Sequence, residues 1–180
     1  MSSLIETFIN RAKAVQTEVL IAGALGDACE KLVSYLKETA IKHVVLSGFD
    51  SQVTDLILKR LSAEGIECFN GSVRDCLPGF LCSVTPGHAG ISETGTIIIE
   101  STSENVRLAS MLADHHIILL PVSALYGELP DVEPILEKMV KGDSLYVAFI
   151  TGPSRTADIE RVLTIGVHGP KRVTVILYGE

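Results

Sequence analysis

The chain has 180 residues, 47% apolar and 21% charged, with a net charge of −7 and a pI near 5.2. That length suits one domain with a real core, and the composition excludes a disordered chain. The acidic balance, the 5% aromatics and the lack of Trp argue against nucleic acid as a partner, because phosphate binding calls for a basic stripe and base stacking for aromatic platforms.

In chain order, Glu6–Val19 and Ala28–Thr39 read as helices, the second with Leu32, Val33, Leu36 and Ala40 at helical spacing. The start lacks the basic region and long apolar core of a signal peptide. The run Val19–Leu25 falls short of the roughly 20 apolar residues a membrane helix needs. A cytoplasmic protein without membrane contact is expected. His43–Ser47, the helical stretch Ser51–Glu64 and Ile66–Phe69 form a βαβ unit. Strands are then expected at Leu81–Thr85, Gly95–Glu100, His116–Pro121, Leu145–Ile150 and Val173–Tyr178. Helices are expected at Val106–Ala113, Val132–Val140 and Arg155–Thr164. The strands do not alternate in polarity, which predicts a mostly parallel sheet covered on both faces, a three-layer α/β sandwich following N-terminal helices (about 1–40). Ligands of such sheets gather beyond the strand C-terminal ends. No linker or repeat divides residues 1–180, so they read as a single domain.

Cys29, Cys68, Cys76 and Cys82 contain no C-x-x-C pair, so they read as free, mostly buried thiols of a reducing compartment. No H-x-x-x-H or H-E-x-x-H occurs, and no metal or cofactor is assigned to this chain. G-x-G-x-x-G, Walker and G-x-S-x-G motifs are also missing, and Gly23-Ala-Leu-Gly26 follows no clear strand.

Three clusters carry candidate chemistry. In Pro86–Thr96 the glycines permit close backbone approach, and Ser92, Glu93, Thr94, Gly95 and Thr96 supply polar contacts. The same pattern also suits an ordinary glycine-rich turn. Glu93 is the candidate base or nucleophile. In Thr151–Glu160, Ser154 or Thr156 caps the expected helix, Asp158 and Glu160 complement its positive end, and Asp158 pairs with Arg161. Arg155 does not fit that scheme, and a cation beside free backbone N–H groups suits a carboxylate or phosphate. Among the histidines, adjacent His115 and His116 alternate faces, so only one is expected to point inward. His168, within Gly166-Val-His-Gly-Pro170, is the acid–base candidate, although turn histidines are often merely exposed.

Ile91-Ser-Glu-Thr-Gly-Thr96, Arg107-Leu-Ala-Ser110, His116-Ile117, Gly152–Glu160 and Gly166–Pro170 together resemble the LUD-domain family. The likeness is strong in the second half of the chain and holds in outline in the first. The chain departs from it at His88, where members often carry an acid, and at Ala113, where they often carry proline. The resemblance implies a fold like the NagB/RpiA/CoA-transferase group and membership of a cytoplasmic system that oxidises L-lactate to pyruvate. In that system the iron–sulfur clusters sit on partner proteins. It also implies a small anionic ligand paired with Arg155, Arg107 among the ligand-binding residues, and Glu93 or His168 receiving the hydroxyl proton. Two other readings remain: a free-standing CoA-transferase-like or sugar-phosphate-isomerase-like enzyme with Glu93 as nucleophile, and a non-catalytic scaffold or regulator. Homo-oligomerisation is left open.

Overall fold

The computed structural model describes residues 2–76, 80–142, 146–158, 162–165 and 168–179. Helix α1 (Ser2–Ala14) leads through a tight turn at Val15-Gln16 into β1 (Thr17–Ala22), and α2 (Leu25–Glu38) follows. Next come β2 (His43–Leu46), α3 (Ser51–Ala63), β3 (Glu67–Phe69) and β4 (Phe80–Pro86). A short hairpin of β5 (Ala89–Ile91) and β6 (Thr96–Glu100) precedes α4 (Glu104–Leu112) and β7 (Ala113–Pro121). The chain then passes through β8 (Leu125–Tyr126), α5 (Glu133–Lys141), β9 (Val147–Ile150), β10 (Arg155–Asp158), β11 (Val162–Ile165) and β12 (Arg172–Tyr178).

Six strands form the main sheet in the order β1-β12-β7-β4-β2-β3, every neighbouring pair parallel. The run at the end of β7 shows why this becomes a three-layer sandwich. Successive strand side chains point to opposite faces. Ile117 and Leu119 therefore pack under α2 and α3 with Leu32, Leu36, Ile57 and Leu61. Ile118 and Leu120 pack on the other side with Phe8 and Ala12 of α1, Val106 of α4, and Ile97 and Ile99 of β6. Strands β8-β5-β6-β9 make a second, smaller sheet on that side. Its remaining face packs Ala89, Ile91 and Ile98 against Val132, with Ile135 and Leu136 of α5 beside them. No helix among the described residues is long and apolar enough to cross a membrane.

Four expectations change. The helix expected over Glu6–Val19 stops at Ala14, and Val19 lies in β1, an edge strand of the main sheet. Gln16 takes φ 65 at the turn, and the short β-branched run Thr17–Ala22 gains a parallel partner in β12 that local periodicity does not show. Gly23 therefore does follow a strand. The α2 N-terminus behind it is closed by its own chain, because Asp27 Oδ2 accepts the Ala24 N–H at 2.9 Å where a phosphate would otherwise sit. The helix expected over Arg155–Thr164 is an antiparallel pair, β10 with β11, in register Arg155↔Ile165 to Asp158↔Val162. Glu160, Arg161, Gly166, Val167 and Leu145 lie outside the described residues.

The fourth change concerns His115 and His116, which are both buried because both faces of β7 are covered. His115 Nε2 lies 2.8 Å from Thr174 Oγ1, beside Tyr35 of α2, and His116 Nε2 lies 2.8 Å from Thr85 Oγ1 on the opposite face. The Nδ1 atoms of both rings are buried without a partner.

The four thiols are free. Burial pushes Cys82 up to about 12 and Cys68 to about 11, so neither supplies thiolate near neutrality. Iodoacetamide at pH 8 is expected to spare Cys82 in the folded protein and to modify Cys76 first, as read by peptide mass spectrometry. Rapid alkylation of Cys82 would instead show that the sheet opens locally.

Candidate functional site

Strands β5 and β6 pair with Ile91 opposite Thr96, which makes Ser92–Gly95 the hairpin turn. Gly95 closes it by donating its N–H to the Ile91 carbonyl at 2.9 Å with φ +67. A Cβ at Gly95 would lie 2.4 Å from the Ala12 nitrogen, so the turn sits directly on the backbone of α1. On its other flank the N–H groups of Ser92 and Glu93 donate to the carbonyls of Tyr126 and Gly127, each at 2.9 Å.

Ser92 is only 1% exposed, and its hydroxyl is buried without a hydrogen-bond partner. Such a group costs roughly 1–3 kcal/mol when left unsatisfied. It lines a hollow of about 290 Å³ between α1 and the turn, together with Leu4, Thr7, Arg11, Glu93 and Glu128. The hollow carries one cation, Arg11, and two carboxylates, Glu93 and Glu128, with Glu93 itself exposed.

A chain of hydroxyls leads away from this turn. Thr94 Oγ1 lies 2.7 Å from Thr96 Oγ1, which lies 2.8 Å from Thr151 Oγ1. The Glu-Thr-Gly and Gly-Pro-Ser-Arg segments, 55 residues apart at that last contact, therefore meet. Gly152 has φ +80, and a Cβ there would lie 2.1 Å from the Val15 carbonyl oxygen. Arg155 reaches the same place, because its Nη2 donates to the Val15 carbonyl at 2.8 Å and to Gln16 Oε1 at 3.3 Å. The guanidinium grips the α1–β1 turn from a strand, so the helix-dipole argument for an anion at Arg155 no longer applies. Thr156 follows it in β10.

A second hollow of about 200 Å³ gathers Ser110, Thr151, Ser154 and exposed His168 near Pro170 and Val173. The Ser154 N–H donates to the Pro170 carbonyl at 2.8 Å and ties the two segments together. This hollow lies at the N-terminal end of β12, beside the last turn of α4 and just past the C-terminal end of β9, not at the C-terminal ends of the main sheet. His168 and Glu93 line different hollows, separated by the threonine chain.

Arg107 lines neither hollow. Its Nη1 donates to the carbonyls of Ser101 (2.7 Å) and Thr102 (2.5 Å), and its guanidinium stacks 4.5 Å from the Tyr146 ring centre, so it holds the entry to α4. His88 is held by the Glu100 N–H, which donates to its Nδ1 at 3.1 Å, and burial lowers its pKa from the usual imidazole range. Among the described residues no group of three or more His, Cys, Asp or Glu side chains is placed to hold a metal ion.

Thr7, Arg11 and Glu128 belong to none of the three candidate clusters of the sequence. Thr7 and Arg11 stand four apart on one helix face, a signal that was available. Their facing partner is another turn, which no local pattern reveals.

A six-stranded parallel sheet covered on both faces, with a smaller second sheet on one side, defines a three-layer α/β domain. The chain belongs to the LUD domain family, whose model matches residues 5–178. It is 26% identical to lactate utilization protein C of Halalkalibacterium halodurans, over 87% of this chain and 78% of that one. It is 30% identical to the uncharacterized protein YkgG of Escherichia coli, over 83% and 68% of the two chains. With lactate utilization protein C of Bacillus licheniformis the identity is 32%, but the match covers 52% of this chain and only 40% of the relative. The fold is shared with a duf162 family protein from Deinococcus radiodurans, at a TM-score of 0.71 and 18% identity over 99% of this chain and 98% of that one.

Proposed function

We propose that this chain serves lactate utilization as the component that holds the short-chain acid while iron–sulfur partner proteins in the cytoplasm carry the electrons. The observation that supports this reading is the meeting of the two motif segments at Thr96 and Thr151 between two hollows of about 290 and 200 Å³. Hollows of that size suit a molecule of a few heavy atoms and fall below the roughly 300–1,000 Å³ of drug-sized sites. The relatives named for lactate utilization point the same way.

Oxidising L-lactate to pyruvate releases two electrons and two protons. Glu93 and His168 are the side chains at the hollows that suit the hydroxyl proton, one at each. The Cα–H bond breaks as well: its hydrogen leaves as the second proton to solvent, and the two electrons pass to the iron–sulfur partners. Deleting the gene is expected to abolish growth on L-lactate as sole carbon source and to spare growth on glucose. Tagged protein from lactate-grown cells is expected to bring down iron–sulfur proteins with broad visible absorbance. Normal growth of the deletion strain on lactate would end this reading.

A further inference from the structure

We infer that the hollow between α1 and the Ser92–Gly95 turn is the binding site for a short α-hydroxy carboxylate. In this site Arg11 and the Ser92 hydroxyl hold the carboxylate and Glu93 accepts the ligand hydroxyl. The choice of an α-hydroxy acid rests on the lactate reading above; the site itself rests on the geometry.

The first support is Ser92. The residue is 1% exposed and lines the hollow, and its hydroxyl is buried without a partner. Buried polar groups are nearly always paired, and an exception calls for an absent acceptor. Around it the carbonyls of Ile91, Tyr126 and Gly127 already accept the N–H groups of Gly95, Ser92 and Glu93. A ligand oxygen in the hollow supplies the acceptor.

The second support is the charge layout. Arg11 is the cation of this hollow, and a guanidinium binds a carboxylate through two parallel donors. The other candidates suit a carboxylate less well. Arg155 is engaged by Val15 and Gln16. The His168 hollow lies beside the last turn of α4, where helix carbonyls present the negative end of the dipole. Glu93 then has a defined task, since an ionised carboxylate only accepts and the α-hydroxyl is the donor it lacks. Leu4 lines the same hollow and offers apolar contact to a methyl group. Glu128 is exposed at the rim, where solvent and salt screen its repulsion of the ligand.

Calorimetric titration of the purified full chain with sodium L-lactate tests the assignment, with sodium propionate and L-alanine as comparisons at matched ionic strength. L-lactate is expected to bind more tightly than propionate, which lacks the hydroxyl, and than L-alanine. Ser92→Ala and Arg11→Gln are each expected to raise the lactate Kd about tenfold or more. Because Ser92→Ala deletes an unpaired buried hydroxyl, its thermal midpoint without ligand is expected to stay level or rise. Lactate binding as tight as wild type in both variants, tighter binding of L-alanine, or no lactate binding would each overturn the assignment. Complementation separates the two readings. If the deletion strain needs this chain for growth on lactate and Arg11→Gln restores growth fully, the pocket assignment fails while the lactate reading stands. If the deletion strain grows on lactate without the chain, the lactate reading fails by itself.

Discussion

Between pH 7 and pH 5 the unfolding free energy is expected to fall by about 2–4 kcal/mol, driven by His115 and His116. Burial lowers His115 to about 4, with Arg172 adding to the effect, and lowers His116 to about 3, with His115 adding to it. In the unfolded chain both titrate near 6.5, so below that pH the unfolded state binds more protons than the folded one. Their contribution is complete above 6.5 and erodes as the pH falls. The erosion ends only when the folded state itself takes up protons, near 4 and near 3. The structural reason is that each ring already uses Nε2 on a threonine, while its Nδ1 is buried with no acceptor for a second N–H. Carboxylates titrate mostly below this window, so the histidines dominate it. Urea denaturation at pH 7, 6 and 5 measures the slope. His116→Gln keeps a neutral side chain able to bond Thr85 and is expected to remove about half of the slope. Constant stability from pH 7 to 5 in the wild type would show that the imidazoles are not held neutral.

Replacing Gly95 or Gly152 by alanine is expected to cost about 3 kcal/mol or more each. Left-handed backbone costs an L-residue roughly 1–2 kcal/mol, and forcing extra volume into packed structure adds about 1–3 kcal/mol. Both penalties apply here. The φ values are +67 and +80, and the new methyl groups would meet backbone at 2.4 Å (Ala12 nitrogen) and 2.1 Å (Val15 oxygen). Backbone at the end of α1 cannot step aside as a flexible side chain can. Gly26 is the matched control. It lies within α2 with nothing inside 4 Å of an added Cβ, so Gly26→Ala is expected to be neutral or to stabilise by up to about 1 kcal/mol. Denaturant midpoints of the three variants decide the matter. A mild effect at Gly95 or Gly152 would mean that α1 does not dock on these turns as described.

Both glycines show how a motif can be noticed before its reason is known. Ser92–Thr96 and Gly152–Arg155 stand out in the sequence for their glycines, hydroxyls and charges. Part of the reason for that composition is structural, because the two glycines and Arg155 clamp the end of α1. Arg155 also shows how one wrong local assignment propagates. A helix beginning there would make its charge anomalous; in a β-strand it is an ordinary hydrogen-bond donor to a neighbouring turn. The pair His115-His116 misled in a related way. The two rings do point to opposite faces, but both faces of β7 are covered, so both rings are interior.

The sequence by itself determined the parallel α/β architecture and most element positions. Apolar runs such as Ile117–Leu120 and helical spacings such as Leu32–Leu36 are local signals of burial on two faces or on one. It also determined the family, through motifs whose order and spacing survive without coordinates. Only the tertiary structure decided that Thr17–Ala22 is an edge strand, paired with chain far off in sequence, and that Arg155–Asp158 pairs with Val162–Ile165. It also decided which candidate residues share a hollow. Glu93 and Ser92 line one hollow with Arg11 of α1, while Ser154 and His168 line another. Such neighbours are set by side chains and backbone far apart in sequence, at distances that no local periodicity encodes.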